Sequence, residues 1–177
     1  MAEPNLTIDH LEGMEPLDSI SIPSEWTREK EGPSGGDRSC SINYRPASAP
    51  QVVLSVYYRG YEISEDEARP LASLLEEAAQ ELSPDRFYSL GHAVLANLAD
   101  RSAFVLDSAE TVRLNGKLVL AVEGSWKNGG KRFIGYILGA DQSCTDLKEI
   151  FFEGQEPQFS RWQDQALRLM GSVTWKD

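Results

Sequence analysis

The sequence predicts an α+β fold, a three-layer αβα sandwich around a central antiparallel sheet of about six to seven strands. Turn signals at regular intervals mark a four-stranded antiparallel meander between residues 102 and 153. Apolar side chains occupy both faces of those strands, so both faces need a cover, and two segments of helical periodicity can supply it. With 177 residues, 41% of them hydrophobic, the chain is long enough to bury a substantial core without metals or disulfides.

The N-terminal part is predicted to be an acidic flexible tail over residues 1–18, followed by a single domain over residues 19–177. The tail is short of large apolar side chains and contains two prolines and a glycine. Residues 1–37 carry a net charge of −7 out of −11 for the whole chain. We interpret this acid excess as a source of solubility, with docking to a basic partner as the alternative.

Three strands are predicted before the first helix. Residues 19–22 alternate in polarity and precede Pro23, which favours a short edge strand, since an edge tolerates a missing N–H. Residues 32–37 have the composition of a loop. Residues 39–45 and 52–59 are strand-like, and the second run is apolar on both faces, as in a strand covered on both sides.

Two helical stretches follow. Ser64 and Glu67 have the spacing of a capping box, and leucines at helical spacing continue to Leu82, although Pro70 predicts a kink or a later start. Ser83 and Pro84 then have the pattern of a new helix start, for a stretch that reaches residue 98.

The meander is the clearest part of the prediction. Asn115 and Gly116 form a favoured two-residue hairpin turn, because both positions tolerate positive φ. Further turn signals at residues 128–130 and 141–144 separate the remaining strands. The predicted strands span residues 102–114, 117–127, 131–140 and 147–153. A helix that starts near Pro157 and ends at Gly171 is expected next, followed by a short strand over residues 172–175.

This order of elements resembles the PsbP-like superfamily, which includes the extrinsic PsbP subunit of photosystem II and the Mog-type nuclear-transport factors that bind the GTPase Ran. The resemblance is carried by TVRLNGKLVLAVEGSW, RFIGYIL, LKEIFFEGQEPQF, a helix ending in SVTWK, and the opening SISIPSEW. It covers most of residues 19–176 and implies a non-catalytic domain that docks on a larger protein assembly. Because a fold does not determine function, we infer from the resemblance only this general class of non-catalytic docking domain, and no specific partner.

Chemistry-bearing residues are few, and we predict no enzyme, no cofactor and no metal site. The two histidines, His10 and His92, have no predictable catalytic partner. The two cysteines, Cys40 and Cys144, are not at metal-ligand spacing; we expect reduced thiols, although one disulfide is possible. No nucleophile motif or phosphate-binding loop is present in the sequence.

The charge and hydropathy pattern limits the partners. An excess of acidic residues disfavours binding to nucleic acid or to anionic membrane surfaces, and no stretch has the length and apolarity of a membrane span. We expect a monomeric cytoplasmic protein, because the chain opens without the basic and apolar regions of a signal peptide.

The candidate protein-binding residues are Trp126, Lys127, Lys131 and Arg132, which gather an aromatic ring and positive charge at one hairpin tip of an acidic chain. Glu149 is expected to pair with a basic residue such as Arg132 across the ladder. The function that we predict is a protein-interaction or assembly domain. Two alternatives stay open: a small-ligand binder or unrecognised enzyme that uses a cleft between sheet and helices near Tyr57, Tyr58 and Glu149, and a small acidic chaperone.

Overall fold

A computed structural model describes residues 4–177 of the chain, which form strands and helices in the following order. The strands are β1 (Leu6–His10), β2 (Leu17–Pro23), β3 (Trp26–Glu31), β4 (Cys40–Pro46), β5 (Val53–Tyr58), β6 (Glu81–Leu82), β7 (Phe104–Leu114), β8 (Lys117–Trp126), β9 (Arg132–Gly139), β10 (Leu147–Gly154) and β11 (Thr174–Trp175). The helices are α1 (Glu65–Leu74), α2 (Pro84–Tyr88), α3 (His92–Leu95) and α4 (Gln158–Met170), and a 3-10 turn spans Ala96–Ala99.

The α+β class and the large antiparallel sheet are confirmed, but the strands are divided differently from the prediction. Eight strands form one sheet in the order β3-β4-β5-β10-β9-β8-β7-β6, and β1-β2-β11 form a separate small sheet. The large sheet therefore exceeds the six to seven strands expected. β3 was not predicted, because only Trp26 of that edge strand is buried and its other side chains are exposed, so the strand lacks an alternating apolar pattern.

Residues 4–18 differ from the predicted flexible tail. β1 pairs antiparallel with β2, and Leu11 and Met14 in the connection between them are buried. Asp9 on β1 accepts hydrogen bonds from Arg28 Nε, at 2.7 Å, and from the Tyr44 hydroxyl, which ties the small sheet to β3 and β4. Isolated apolar residues such as Leu11 have no local periodicity, so their burial depends on elements distant in sequence. Residues 1–3, also assigned to the tail, lie outside the described residues.

β2 is the central strand of the small sheet, whereas the sequence predicted an edge strand at this position. It pairs with β1 on one side and with β11 on the other, where Ser19 lies opposite Thr174 at a hydroxyl–hydroxyl distance of 2.7 Å. One of its two neighbours comes from the predicted tail and the other from the last residues of the chain, so the local pattern could not reveal them.

The starts of the two helical stretches before the meander are confirmed, but their predicted extents are not. The Ser64 hydroxyl accepts a hydrogen bond from the Glu67 backbone N–H at 3.2 Å, and the Glu67 carboxylate accepts one from the Ser64 N–H at 3.0 Å. α1 ends at Leu74 rather than continuing to Leu82, which belongs to β6. The second stretch begins at Pro84 as predicted, but Gly91, with a φ of 88°, separates α2 from α3.

The meander and the final helix follow the prediction closely. Asn115 and Gly116 both have positive φ, of 48° and 89°, as the two-residue turn between β7 and β8 requires. The turn is tied to the C-terminal segment because the Asn115 side-chain amide donates to the carbonyl oxygens of Gly171 and Val173. α4 is flanked by Pro157 and Gly171, as the sequence indicated.

Two hydrophobic clusters divide the side chains of the large sheet between them. Successive residues of β8 go to opposite clusters: Val119 belongs to the cluster that contains Phe159 of α4, and Leu120 to the cluster that contains Leu71 of α1 and Val94 of α3. This division confirms that both faces of the meander strands are apolar because both are buried. The candidate site lies on the side of the second cluster.

Candidate functional site

A cleft of about 710 Å³ opens between the large sheet and the α3 segment. Below, "the binding cleft" means this space. Its lining comes from the end of β5 and the residues after it, from α3 and the 3-10 turn, from the β8–β9 hairpin, and from β10. The lining residues are Tyr57, Arg59, Tyr61, His92, Ala93, Leu95, Ala96, Asn97, Leu98, Ala103, Trp126, Asn128, Lys131, Phe133, Glu149, Phe151 and Glu153. A volume of this size is in the range of small-molecule sites.

Aromatic rings form one wall of the binding cleft. Phe133 on β9 and Phe151 on β10 stack with their ring centroids 5.5 Å apart and their planes at 27°. Gly135 makes this possible, because a Cβ at that position would lie 2.6 Å from the Phe133 ring. Trp126 meets the Phe133 ring edge-on, with a centroid distance of 6.0 Å. The absence of a side chain at Gly135 thus lets a ring lie over the sheet beside the cleft.

Glu153 and Trp126 are joined by a hydrogen bond at the hairpin end of the binding cleft. The Trp126 Nε1–H donates to Glu153 Oε2 at 3.1 Å, which leaves the other carboxylate oxygen of Glu153 outside this bond. Trp126 also packs against Phe104, directly opposite it on β7, at a centroid distance of 4.8 Å. Trp126 is therefore held by a polar contact at one edge and by aromatic packing at the other.

Arg59 connects the sheet to the α3 wall of the binding cleft. Its side chain is 4% exposed, and its Nε donates to Glu149 Oε2 at 3.0 Å. Its two terminal nitrogens donate to the backbone carbonyl oxygens of Ala93 and Val94, at 2.7 Å and 2.5 Å. A guanidinium at the C-terminal end of a short helix satisfies carbonyls that have no partner within the helix. Glu149 thus pairs with a basic residue, as expected, but the partner is Arg59 rather than Arg132.

Ala96 and Tyr57 are two further residues of the cleft lining. Ala96, directly after α3, has a φ of 49°, a conformation that residues with a Cβ adopt at a cost. Tyr57 lies directly opposite Glu149 in the pairing of β5 with β10. Burial, and to a lesser extent the neighbouring Glu149 carboxylate, raises the pKa of the Tyr57 hydroxyl above its ordinary value. Tyr57 therefore presents a neutral phenol at physiological pH.

The four residues predicted as a protein-binding patch are divided between two faces of the sheet. Trp126 and Lys131 line the binding cleft, and Lys127 is exposed at the same hairpin tip. Arg132 instead lies on the α4 face, with its guanidinium 5.2 Å from the centroid of the Phe159 ring. The structure thus brings together three of the four predicted residues at one end of the binding cleft.

Arg132 is engaged within the chain. Its terminal nitrogens lie 3.3 Å from Glu123 and 3.4 Å from Glu156. Its Nε is buried and has no hydrogen-bond partner among the described residues. Alternation along β9 explains the split, because consecutive residues of a strand point to opposite faces.

The cleft proposed from sequence as an alternative site lies where it was expected, with two of its three named residues. Tyr57 and Glu149 line it, while Tyr58 lies on the opposite face, where the Lys148 Nζ is 4.0 Å from its ring centroid. Sequence reasoning missed Arg59, and it did not place Glu153 in the cleft although the pairing of Glu149 with Glu153 on one strand face was visible. Arg59 has no local pattern that marks it as buried, since its partners Glu149, Ala93 and Val94 are distant in sequence. The Glu149–Phe151–Glu153 alternation was a usable signal for Glu153.

The remaining chemistry-bearing residues do not join the binding cleft in a catalytic arrangement. Within residues 4–177 no group of three or more His, Cys, Asp or Glu side chains could hold a metal ion. Cys40 and Cys144 are both buried free thiols, and burial raises the pKa of Cys144 to about 11. His92 is exposed and lines the cleft, whereas His10 is exposed on β1. No helix in the described part of the chain is long and apolar enough to cross a membrane.

Comparison with known proteins identifies the fold. The solution structure of cyanobacterial PsbP (CyanoP) from Synechocystis sp. PCC 6803 matches with a TM-score of 0.57 at 14% identity, over 99% of this chain and 95% of that chain. The crystal structure of PA94, a protein of unknown function from Pseudomonas aeruginosa, matches with a TM-score of 0.46 at 12% identity, over 97% and 98% of the two chains. The second match is too distant to support an argument. No family model and no curated protein matches the sequence. The chain therefore has the PsbP-like fold that the sequence resemblance implied.

Proposed function

We propose that this chain is a non-catalytic interaction domain, which docks on a larger protein assembly through the binding cleft and the hairpin tip beside it (residues 127–131). The supporting observation is that Trp126 and Lys131 line the same cleft as Tyr57 and Glu149. The two surface features that the sequence marked as separate candidates therefore form one continuous surface.

The aromatic side chains of this surface support the proposal of a protein interface. Aromatic side chains are enriched at such interfaces, where they fill pockets as anchors. Here Tyr61 is 54% exposed at the cleft, and Trp126 is half-buried. Lys127 and Lys131 are exposed beside them, in a chain with a net charge of −11. Local positive charge next to exposed aromatic area favours a partner with an acidic rim around an apolar contact.

The experiment is an affinity capture from native lysate with the tagged chain, read by mass spectrometry. We expect one protein complex to be retained by the wild type and lost by the double variant Lys127→Glu/Lys131→Glu. Arg132 is left unchanged, because an acid at that position would face Glu123 and Glu156 and would destabilise the fold.

The matched control is Lys30→Glu/Arg161→Glu, which makes the same change in net charge at exposed positions of β3 and α4. Loss of the complex with both double variants would attribute the capture to overall charge. Retention with both would contradict a docking surface at the hairpin tip.

A second candidate is a small-ligand binder, because the volume and aromatic lining of the binding cleft fit one. Thermal-shift screening with metabolites separates the two. A ligand that raises the melting temperature of the wild type, and fails to do so after a substitution within the cleft, favours the second candidate. A chain without a stabilising metabolite and with a captured complex favours the first.

A further inference from the structure

We infer that the binding cleft recognises an alkylammonium group, either on a free ligand or as a lysine side chain of a docking partner. The inference deepens the proposed function by naming the chemistry that the cleft would accept. It rests on three features of the lining: aromatic rings, carboxylates on one strand face, and the positions of the cations already present.

The aromatic lining suits a cation. Phe133 contacts both Trp126 and Phe151, and Tyr57 and Tyr61 line the same space. An ammonium over the face of such rings is attracted by their quadrupoles, and several rings around one space form the cage by which alkylated ammonium groups are bound. A cluster of aromatic rings can also bind an apolar ligand. The charge of the cleft must therefore decide between a cationic and an apolar ligand.

The carboxylates supply that discrimination. β10 presents Glu149, Phe151 and Glu153 to the binding cleft on one face, an acidic–aromatic–acidic pattern. Glu149 is already neutralised by Arg59. Glu153 makes no ion pair among the described residues, and it accepts a hydrogen bond from the neutral indole of Trp126. Glu153 is therefore a half-buried carboxylate whose charge is available to a ligand at the edge of the aromatic wall.

The cationic side chains of the binding cleft do not prevent binding of an ammonium group. Arg59 is almost fully buried and its hydrogen bonds go to Glu149 and to backbone carbonyls, so its charge is compensated. Lys131 is exposed at the rim, where water screens its charge. The whole chain, at −11, attracts cations at long range. An anionic ligand would have to approach the carboxylate of Glu153, whose charge is not compensated by an ion pair among the described residues, and would be repelled.

The test uses n-butylammonium as the probe and n-butanol as its neutral counterpart of equal chain length, at constant ionic strength. The readout is the NMR signal of the Trp126 indole N–H, assigned among the four tryptophans by Trp126→Phe. We expect n-butylammonium to shift this signal saturably and n-butanol to leave it unchanged. Glu153→Gln should weaken n-butylammonium binding about tenfold, as loss of a charge-assisted hydrogen bond does.

Glu110→Gln is the matched control, since Glu110 is exposed on β7 and does not line the cleft. It should bind n-butylammonium as the wild type does. Equal shifts from both probes, no shift from either, or unchanged binding by Glu153→Gln would overturn the inference. The wild-type comparison of the two probes needs no variant, so a folding defect in Glu153→Gln does not affect it.

The two sources of the ammonium group are separated by adding n-butylammonium to the captured complex. Elution of the partner assigns the group to a lysine of that partner, whereas binding of the probe without elution assigns it to a free ligand. The proposed function fails separately, if no complex depends on Lys127 and Lys131 while n-butylammonium still binds.

Discussion

Replacement of Arg59 by methionine tests the central contact of the binding cleft. Arg59 is 4% exposed in its side chain and donates hydrogen bonds to Glu149, Ala93 and Val94. Methionine retains most of the apolar stem and fills the same space, so the substitution removes the charge and three hydrogen bonds with little loss of packing volume. What remains is a carboxylate and two carbonyl oxygens without their donor.

The magnitude follows from the burial of the partners. Removal of one member of a buried ion pair costs about 3–5 kcal/mol, since the other charge stays behind without compensation. Glu149 is 14% exposed and can gain some water, which favours the lower part of this range. The two carbonyl oxygens add about 1 kcal/mol each where water does not reach them. We expect Arg59→Met to lower the free energy of unfolding by about 5 kcal/mol.

The assay is urea denaturation of the wild type, Arg59→Met, Glu149→Gln and the double variant, arranged as a double-mutant cycle. The double variant should be more stable than Arg59→Met by about 1–2 kcal/mol, because no carboxylate is then left unpaired. Amide hydrogen exchange in α3 should accelerate in Arg59→Met more than in Glu149→Gln, since only the arginine bonds the carbonyl oxygens of Ala93 and Val94.

A loss below about 1 kcal/mol in Arg59→Met would refute this reasoning, because it would mean that water or a neighbouring group replaces all three hydrogen bonds. Additive effects of the two single substitutions would refute the direct coupling of Arg59 to Glu149.

Two further predictions concern the packing of the sheet and the buried thiol. Gly124→Ala on β8 should lower the free energy of unfolding by about 2–3 kcal/mol in urea denaturation, because the new Cβ would lie 2.2 Å from the carbonyl oxygen of Val105. In the control Gly36→Ala, the new Cβ meets no atom within 4 Å, so the free energy of unfolding should change by less than about 0.5 kcal/mol. For Cys144, burial raises the pKa from 9.0 to about 11, so the folded state favours the neutral thiol. This preference contributes fully to the stability of the fold at pH values below the pKa of the unfolded state. The contribution is lost as the pH rises from the pKa of the unfolded state to that of the folded state. Between about pH 8.5 and pH 10.5, the free energy of unfolding measured by urea denaturation should therefore fall by about 2 kcal/mol more in the wild type than in Cys144→Ala. Equal decreases in the two proteins would contradict the raised pKa.

Much of the local structure was predictable because its causes lie within a few residues. The capping box of Ser64 and Glu67, the turn at Asn115 and Gly116, and the start of α4 beside Pro157 are all specified by short-range backbone geometry and hydrogen bonding. The alternation in the meander also predicted which side chains go to each face, since the period of a strand is two residues. These signals do not depend on what the element packs against.

The helix lengths and the N-terminal strands were not predictable in the same way. α1 stops at Leu74 although leucine spacing continues to Leu82, because Leu82 pairs with β7 instead. β1 has exposed apolar residues, Leu6 and Ile8, and its pairing depends on β2 and on the contact of Asp9 with Arg28 and Tyr44. In each case a partner distant in sequence outweighs the local preference.

The candidate site shows the same division. The sequence alone predicted the α+β architecture and the aromatic and basic hairpin tip around Trp126. It also predicted Tyr57 and Glu149 as residues of a cleft. Only the tertiary structure decided that Arg59 is the partner of Glu149, that Arg132 pairs with Glu123 and Glu156, and that the hairpin tip and the cleft are one surface. The physical reason is that local alternation along a strand determines which face a side chain lies on, whereas the order of the strands determines which partner it meets. Here β10 lies between β5 and β9, and its pairing with β5 joins residues distant in sequence, which no local pattern encodes.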